Sequence, residues 1–259
     1  MTQLLIYNRV VPLNRDAHRD VSVRRISDFG FAAGLNSVPL LDVEFAPAAL
    51  EYPILFARGG DGAVTPLALL GVTQDHNSFV GADGQWTGRY VPAFLRRYPF
   101  VFASDADRFT LCVDDTCAAL NSDGEGERLF DSTGQETAYT RTILGFVQEY
   151  QQTFLRTQAF AQRLDDLGLL EEARIDFTIA GTRRGEVTGF LRVAADKLRA
   201  LDDAAVLGLF RTGELDLIQL HLVSLQTIEP VVQKLASAPP DAVTPAPLAP
   251  AQQPADVMM

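Results

Sequence analysis

The chain is poor in the residues that build disulfides and metal centres. Its 259 residues include two cysteines, three histidines and one tryptophan. The cysteines, Cys112 and Cys117, are separated by four residues, a spacing compatible with a small disulfide loop or a shared metal. No second pair completes a zinc site, and two reduced thiols in or near a strand is the simpler interpretation. So few cysteines fit a reducing compartment.

Long apolar runs are also missing. No stretch approaches the roughly 18 apolar residues of a membrane-spanning helix, so no membrane insertion is expected. Near the N-terminus, residues 4–7 and 10–13 are apolar but are split by Asn8 and Arg9. No basic segment precedes them and no small-residue cleavage site follows, so no signal peptide is indicated. The expected location is therefore the cytoplasm.

Basic residues are outnumbered by acidic ones, 22 to 33, which gives a formal net charge of −11. Binding to nucleic acid depends on neutralising phosphates with lysine and arginine, and docking on an anionic membrane needs basic clusters. The charge therefore argues against both kinds of partner. What is present is a normal globular mixture with 47 % hydrophobic residues, enough to fold without a structural metal or disulfides.

The first half of the chain is predicted to be rich in strands. Residues 38–45 alternate apolar and acidic side chains over their second half, and residues 51–57 and 65–72 read as a hairpin around a glycine-rich turn. A short helix is expected at 47–51. Further hairpins are predicted to join 78–80 with 85–87, and 100–103 with 109–113.

The second half is predicted to be rich in helices. A long amphipathic helix is expected to follow a capping box at Thr133 and Glu136 and to stop near Gly168. Its aromatic series is most simply a core face, with a partner-helix surface as the alternative; the members are Phe146, Tyr150, Phe154 and Phe160. A hairpin of 174–180 with 187–193 and further helices over 194–201, 204–210 and from 212 past 235 complete the pattern.

The predicted fold class is therefore α+β, strand-rich over residues 1–130 and helix-rich over 135–236. We expect these residues to form a single domain. Residues 237–259 are dominated by proline and alanine, lack apolar periodicity and are predicted to be a disordered tail.

The densest group of recognition-type side chains lies between residues 86 and 98. The segment 88–98 has the apolar spacing of a short helix, which would align Arg89, Arg96 and Arg97 on one side. The aromatic residues Trp86, Tyr90 and Tyr98 are close to them in sequence. Tryptophan, tyrosine and arginine dominate binding hot spots, and guanidinium groups suit a carboxylate, a phosphate or an acidic peptide. These six residues are the predicted binding surface; the alternative is a solvated face paired with the chain's acids.

Catalytic and metal-binding patterns are weak. His18 and Asp20 have the spacing of a non-haem iron site, for which His221 would be the second histidine, although it lies in a helical pattern. His76, which lies beside Asp75 and two residues before Ser78, is the best candidate for a general base if the protein is an enzyme. The simpler interpretation is that Asp75 and His76 form a turn before a strand. Neither pattern is specific, so we predict no catalytic residues, no metal and no cofactor, and keep an iron-dependent enzyme or enzyme subunit as the alternative.

Several blocks, in order, resemble the SapC family of bacterial proteins. They are NSVPLLDVEFAPAALEYPILFA, FVGADGQWTGRYVPAFLRRYPFVF, IDFTIAGTRRGEVTGFLRVAADKLRAL and GELDLIQLHLVSLQ, and the likeness covers most of residues 5–236. The resemblance implies a role at the surface layer or cell envelope, or in servicing envelope proteins, and brings no catalytic motif. The expected function is thus a non-enzymatic binding or accessory protein with a peptide or protein partner. An exported surface-layer subunit is a further alternative, which would place the chain at the cell surface.

Overall fold

The structure, a computed structural model, describes residues 6–105, 108–179 and 183–236. These residues form three antiparallel sheets with helices packed against them. The strands are Val10–Pro12 (β1), Ser22–Val23 (β2), Ser37–Pro39 (β3), Ile54–Arg58 (β4), Val64–Leu69 (β5), Phe100–Asp105 (β6), Arg108–Asp114 (β7), Leu120–Asn121 (β8), Glu127–Arg128 (β9), Leu170–Ile179 (β10) and Arg183–Val193 (β11). The tail predicted over 237–259 lies outside the described residues.

The α-helices alternate with these strands and dominate the second half of the chain. They are Arg15–His18 (α1), Phe45–Ala48 (α2), Ala93–Arg96 (α3), Ala138–Asp166 (α4), Ala195–Arg199 (α5), Asp203–Arg211 (α6), Glu214–Ser224 (α7) and Ile228–Ala236 (α8). Short 3-10 helices cover Gly30–Ala32, Asp42–Glu44 and Leu225–Thr227. The α+β prediction is confirmed, whereas the single domain over residues 1–236 stays a prediction.

The largest sheet has five strands in the order β10-β11-β4-β5-β3. Its predicted hairpins are confirmed: Leu55 of β4 pairs with Leu67 of β5, and β10 and β11 pair along most of their length. The strands β4 and β5 lie in the middle of this sheet, and almost all of their side chains are buried. A fully apolar run marks such a central strand better than alternation does. The two smaller sheets have the orders β1-β7-β6 and β8-β2-β9.

Helix α4 is the long amphipathic helix that the sequence predicts. It has 29 residues, buries Val147, Tyr150 and Phe154, and contacts both β5 and β6. The predicted capping box is wrong. The N-cap is Thr137, whose hydroxyl accepts a hydrogen bond from the Thr140 N–H, because the chain before it still forms a turn.

The strand predicted over 38–45 is wrong in its second half. It ends at Pro39, and a 3-10 helix at Asp42–Glu44 follows. The short helix predicted at 47–51 is present, but it begins earlier and covers Phe45–Ala48 as α2. The Glu44 carboxylate accepts a hydrogen bond from the Leu41 N–H, which closes a turn instead of extending a strand. The acidic residue at position 44 is therefore buried and hydrogen-bonded in a turn, and the alternation of apolar and acidic residues does not mark a half-exposed strand.

The main hydrophobic core joins both halves of the chain. It contains β-strand residues such as Ile54 and Leu69 together with helical residues such as Phe154, Ile218 and Val231. One consequence is that α4 and the 3-10 helix at Asp42–Glu44 are held against each other, where Asp42 N–H donates to the Thr157 hydroxyl at 2.9 Å. This contact positions the site described next.

Candidate functional site

The segment from Trp86 to α3 is held by buried or half-buried acceptors and not by regular structure. The Glu51 carboxylate accepts from the N–H groups of Arg89 and Tyr90, at 2.9 and 3.1 Å. The carbonyl of Tyr90 accepts from the Trp86 indole at 3.0 Å and from the Tyr52 hydroxyl. The predicted helix over 88–98 is therefore wrong except for α3, because these bonds hold the preceding residues in an irregular path.

A buried carboxylate lies beneath this segment. Glu44 is 2 % exposed, and its oxygens accept from the Leu41 N–H at 3.0 Å, the Tyr90 hydroxyl at 2.7 Å and the Ala93 N–H at 2.7 Å. Burial raises the pKa of Glu44, and the hydrogen bonds from Tyr90 and the two N–H groups oppose that shift. Glu44 thus ties α3 and the Tyr90 side chain to the 3-10 helix.

Arg96 is exposed at the end of this segment. Its Nε donates to the Val91 carbonyl at 2.9 Å and its Nη2 to the Tyr90 hydroxyl at 3.4 Å. The guanidinium lies 5.8 Å from the Tyr90 ring centre and 5.4 Å from that of Phe146 on α4. Within the part of the chain that the structure describes, no carboxylate oxygen lies within 4.0 Å of it. Arg96 is therefore oriented by two rings and two hydrogen bonds, and its charge is not paired.

A cavity of about 370 Å³ opens beside Arg96. Its walls include Glu44, Tyr90 and Arg96 together with Phe146 and Glu149 of α4. We call these five residues the Arg96 site. Phe146 is partly exposed, unlike Tyr150, Phe154 and Phe160, which are buried in the core. The core interpretation of the aromatic series thus holds for three of its four members.

The other predicted binding residues have different surroundings. Arg97 is 3 % exposed, and its guanidinium lies 4.6 Å from the ring centres of Phe94 and Tyr150. Its Nε has no hydrogen-bond partner among the described residues. Adjacent positions on a helix point about 100° apart, so Arg96 and Arg97 enter different environments and the predicted alignment is wrong.

The predicted aromatic residues also differ in exposure. Tyr98 is buried and stacks on Phe31 with ring centres 4.2 Å apart. Trp86 is half-buried between Phe29 and Phe79, at 5.5 and 5.9 Å, and its only donor is used by the Tyr90 carbonyl. Arg89 is exposed, and no ion pair of its side chain occurs among the described residues. Of the six predicted residues, the structure brings only Tyr90 and Arg96 into the Arg96 site.

The alternative iron site is not assembled. His221 is fully buried, and both ring nitrogens are used: Nε2 accepts from the Val193 N–H at 3.0 Å and Nδ1 donates to the Ile54 carbonyl at 2.7 Å. Asp20 is exposed and pairs with Arg128 at 3.1 Å. No group of three or more histidine, cysteine or acidic residues in the described ranges is placed to hold a metal. The proposed ligand set fails because His221 is a packing residue between β4 and β11.

The residues considered for general-base catalysis are not joined either. In the described part of the chain no hydrogen bond links His76 to Asp75 or Ser78, and the His76 Nε2 and Ser78 hydroxyl are buried without partners. Burial lowers the pKa of His76. Asp75 has φ +54°, as a tight turn requires. The turn interpretation accounts for the backbone but leaves the two unpartnered atoms unexplained.

Comparison with known proteins identifies the family. A model of the SapC family matches residues 13–230, so the chain belongs to the SapC family. No curated protein and no solved structure matches it. Among the described residues no helix is long and apolar enough to cross a membrane.

Three residues of the Arg96 site were not predicted to lie in a binding site: Glu44, Phe146 and Glu149. Glu44 was assigned to a strand, and Phe146 was one of four aromatic residues with the same helical spacing. Local spacing gave no signal that separates Phe146 from the core residues, since Ile143 and Tyr150 are its apolar neighbours at helical spacing.

Proposed function

We propose that the protein is a non-enzymatic binding or accessory protein that engages a peptide or protein partner at the Arg96 site. The observation that carries the proposal is the exposed guanidinium of Arg96, oriented by Tyr90 and Phe146 and unpaired among the described residues. A side chain that is already ordered loses little entropy when it binds. The planar guanidinium suits a carboxylate, which it can hold with two parallel hydrogen bonds.

Binding fits the remaining groups of the site better than chemistry does. The Glu44 carboxylate already accepts three hydrogen bonds, and the Tyr90 hydroxyl donates one of them. Because the Glu44 carboxylate and the Tyr90 hydroxyl are already engaged in these hydrogen bonds, they form a rigid wall beside the cavity. Partly buried aromatic rings next to an arginine are also the composition of binding hot spots.

The kind of partner rests on family membership. The SapC family takes its name from association with a surface layer, and we propose that the partner belongs to the cell envelope or surface layer. A nucleic-acid partner is disfavoured by the charge of −11. Fractionation of native cells tests the location: recovery in the cytosol supports an intracellular accessory role, and recovery with the envelope supports a surface role.

Co-purification from the native cell tests the proposed site. The tagged wild-type chain should retain a protein partner that the Arg96→Gln variant loses, while Arg199→Gln retains it as a matched control at an exposed arginine of α5. A photo-crosslinking amino acid at Val43, which is 62 % exposed on the rim of the cavity, should capture the same partner. The same substitution at Val223, 51 % exposed on α7, should not. Equal recovery with all variants would refute the site.

A further inference from the structure

A second cavity lies farther along α4. Its volume is about 600 Å³, and its apolar lining includes Val43, Ala159, Phe160 and Leu217. We call it the Leu217 cavity. Val43, which is 62 % exposed, also lines the cavity of the Arg96 site, so the two cavities share this residue.

The charges of the two cavities differ. In the Leu217 cavity, the Arg156 guanidinium donates to both carboxylate oxygens of Asp42 at 2.6 and 2.8 Å. Arg163 there is 2.5 Å from Glu214. These arginines are neutralised within the chain, whereas Arg96 has no such pair among the described residues. The Arg96 guanidinium can therefore pair with an anionic group of a ligand, although the carboxylates of Glu44 and Glu149 line the same cavity, and the Leu217 cavity offers mainly apolar contact.

The spacing of the cavities follows from α4. The cavity of the Arg96 site is lined by α4 residues 146, 149, 150 and 153. The Leu217 cavity is lined by α4 residues 156, 159, 160 and 163. Both sets have i, i+3, i+4, i+7 spacing and are offset by ten residues, which is about 15 Å along the helix axis and about 80° around it. Since an extended chain advances about 3.3 Å per residue, 15 Å corresponds to four or five residues.

We propose that the two cavities together bind one extended segment of a partner protein. A carboxylate of that segment binds Arg96, and an apolar side chain four or five residues away enters the Leu217 cavity, with the backbone crossing Val43. This inference rests on the proposed function and specifies the partner's recognition sequence. Glu149 lines the same cavity as Arg96, so its charge opposes an acidic ligand and its neutralisation should strengthen binding.

Selection from a displayed library of random dodecapeptides against the full chain tests the inference. The expected result is enrichment of peptides that carry an aspartate or glutamate and an apolar residue four or five positions apart. The affinity of a selected peptide should fall about tenfold in Arg96→Gln. It should rise by up to about threefold in Glu149→Gln, because an exposed charge pair is worth less. In Val43→Lys it should fall, while Val223→Lys leaves it unchanged.

Each contrary result has a distinct meaning. Enriched peptides without the spacing, or an unchanged affinity in Val43→Lys, would overturn the shared groove. No enrichment would overturn recognition of an extended peptide. In both cases the proposed function is judged separately, since loss of the native partner in Arg96→Gln would still support binding at the Arg96 site. Weaker binding in Glu149→Gln would show that the ligand is not acidic and would also overturn the inference.

Discussion

His221 provides the sharpest test of how the fold is held together. The strands β4 and β11 pair through a single residue pair, Leu191 with Phe56. The imidazole adds to this short junction by accepting from the Val193 N–H and donating to the Ile54 carbonyl. Replacing it with alanine leaves two buried backbone groups without partners, each at a cost of about 1–3 kcal/mol. We expect His221→Ala to lose about 3–5 kcal/mol of unfolding free energy, cavity included.

The same residue predicts a pH dependence. Burial lowers the pKa of His221 from its ordinary value of 6.5 to about 4. The unfolded chain therefore binds a proton on this side chain at a pH where the folded chain does not. Its stabilising contribution is complete above pH 6.5 and is lost as the pH falls towards 4. The two pKa values imply a loss of about 2 kcal/mol between pH 7.5 and pH 5.

Urea unfolding followed by circular dichroism at both pH values measures this effect. His221→Gln is the matched control, because an amide can donate to Ile54 and accept from Val193 but cannot titrate. The wild-type chain should lose about 2 kcal/mol more than His221→Gln on going to pH 5. If both chains lose the same free energy, the imidazole is not held neutral by burial and the reasoning is wrong.

Three further predictions concern other elements. Gly126 has φ +87° and an added Cβ would lie 2.2 Å from a β2 carbonyl oxygen, so Gly126→Ala should cost about 3 kcal/mol or more in urea unfolding. Gly124 has φ +79° but open space around it, so Gly124→Ala should cost only about 1 kcal/mol, and equal losses would contradict the clash. Tyr90→Phe removes the hydroxyl that donates to the buried Glu44 carboxylate, and it should lower the free energy of unfolding by about 1–3 kcal/mol in urea. An unchanged urea midpoint would show that this hydrogen bond does not stabilise the fold. Cys112 and Cys117 are free and buried, and burial raises the pKa of both thiols. A thiol reagent at pH 8 should therefore label them only after unfolding. Rapid labelling of the native chain would refute their burial.

Local patterns determined the elements whose apolar spacing is long and uninterrupted. The 29 residues of α4 repeat their apolar side chains at helical spacing, and apolar and polar side chains alternate along parts of β10 and β11. In both, side chains close in sequence already share one face, so the period alone indicates the element. The acidic composition and the family likeness were equally readable without coordinates.

The structure of segments without such a period was decided by hydrogen-bond partners that are distant in sequence. Residues 88–92 follow the Glu51 carboxylate and the Tyr52 hydroxyl instead of a helix, and the 3-10 helix at Asp42–Glu44 exists because Glu44 is buried beneath Tyr90. These partners lie 38 to 46 residues away along the chain. No local spacing reports such a bond, because it depends on how the sheets and α4 come together.

The sequence by itself determined the α+β class, the long helix and the hairpins, and it pointed to the segment that contains Arg96. Only the tertiary structure separated Arg96, at the surface, from Arg97, in the core, and brought Phe146 and Glu149 of α4 beside it. The physical reason is that secondary structure follows the periodicity of neighbouring side chains, whereas a site depends on which faces of distant elements are packed together.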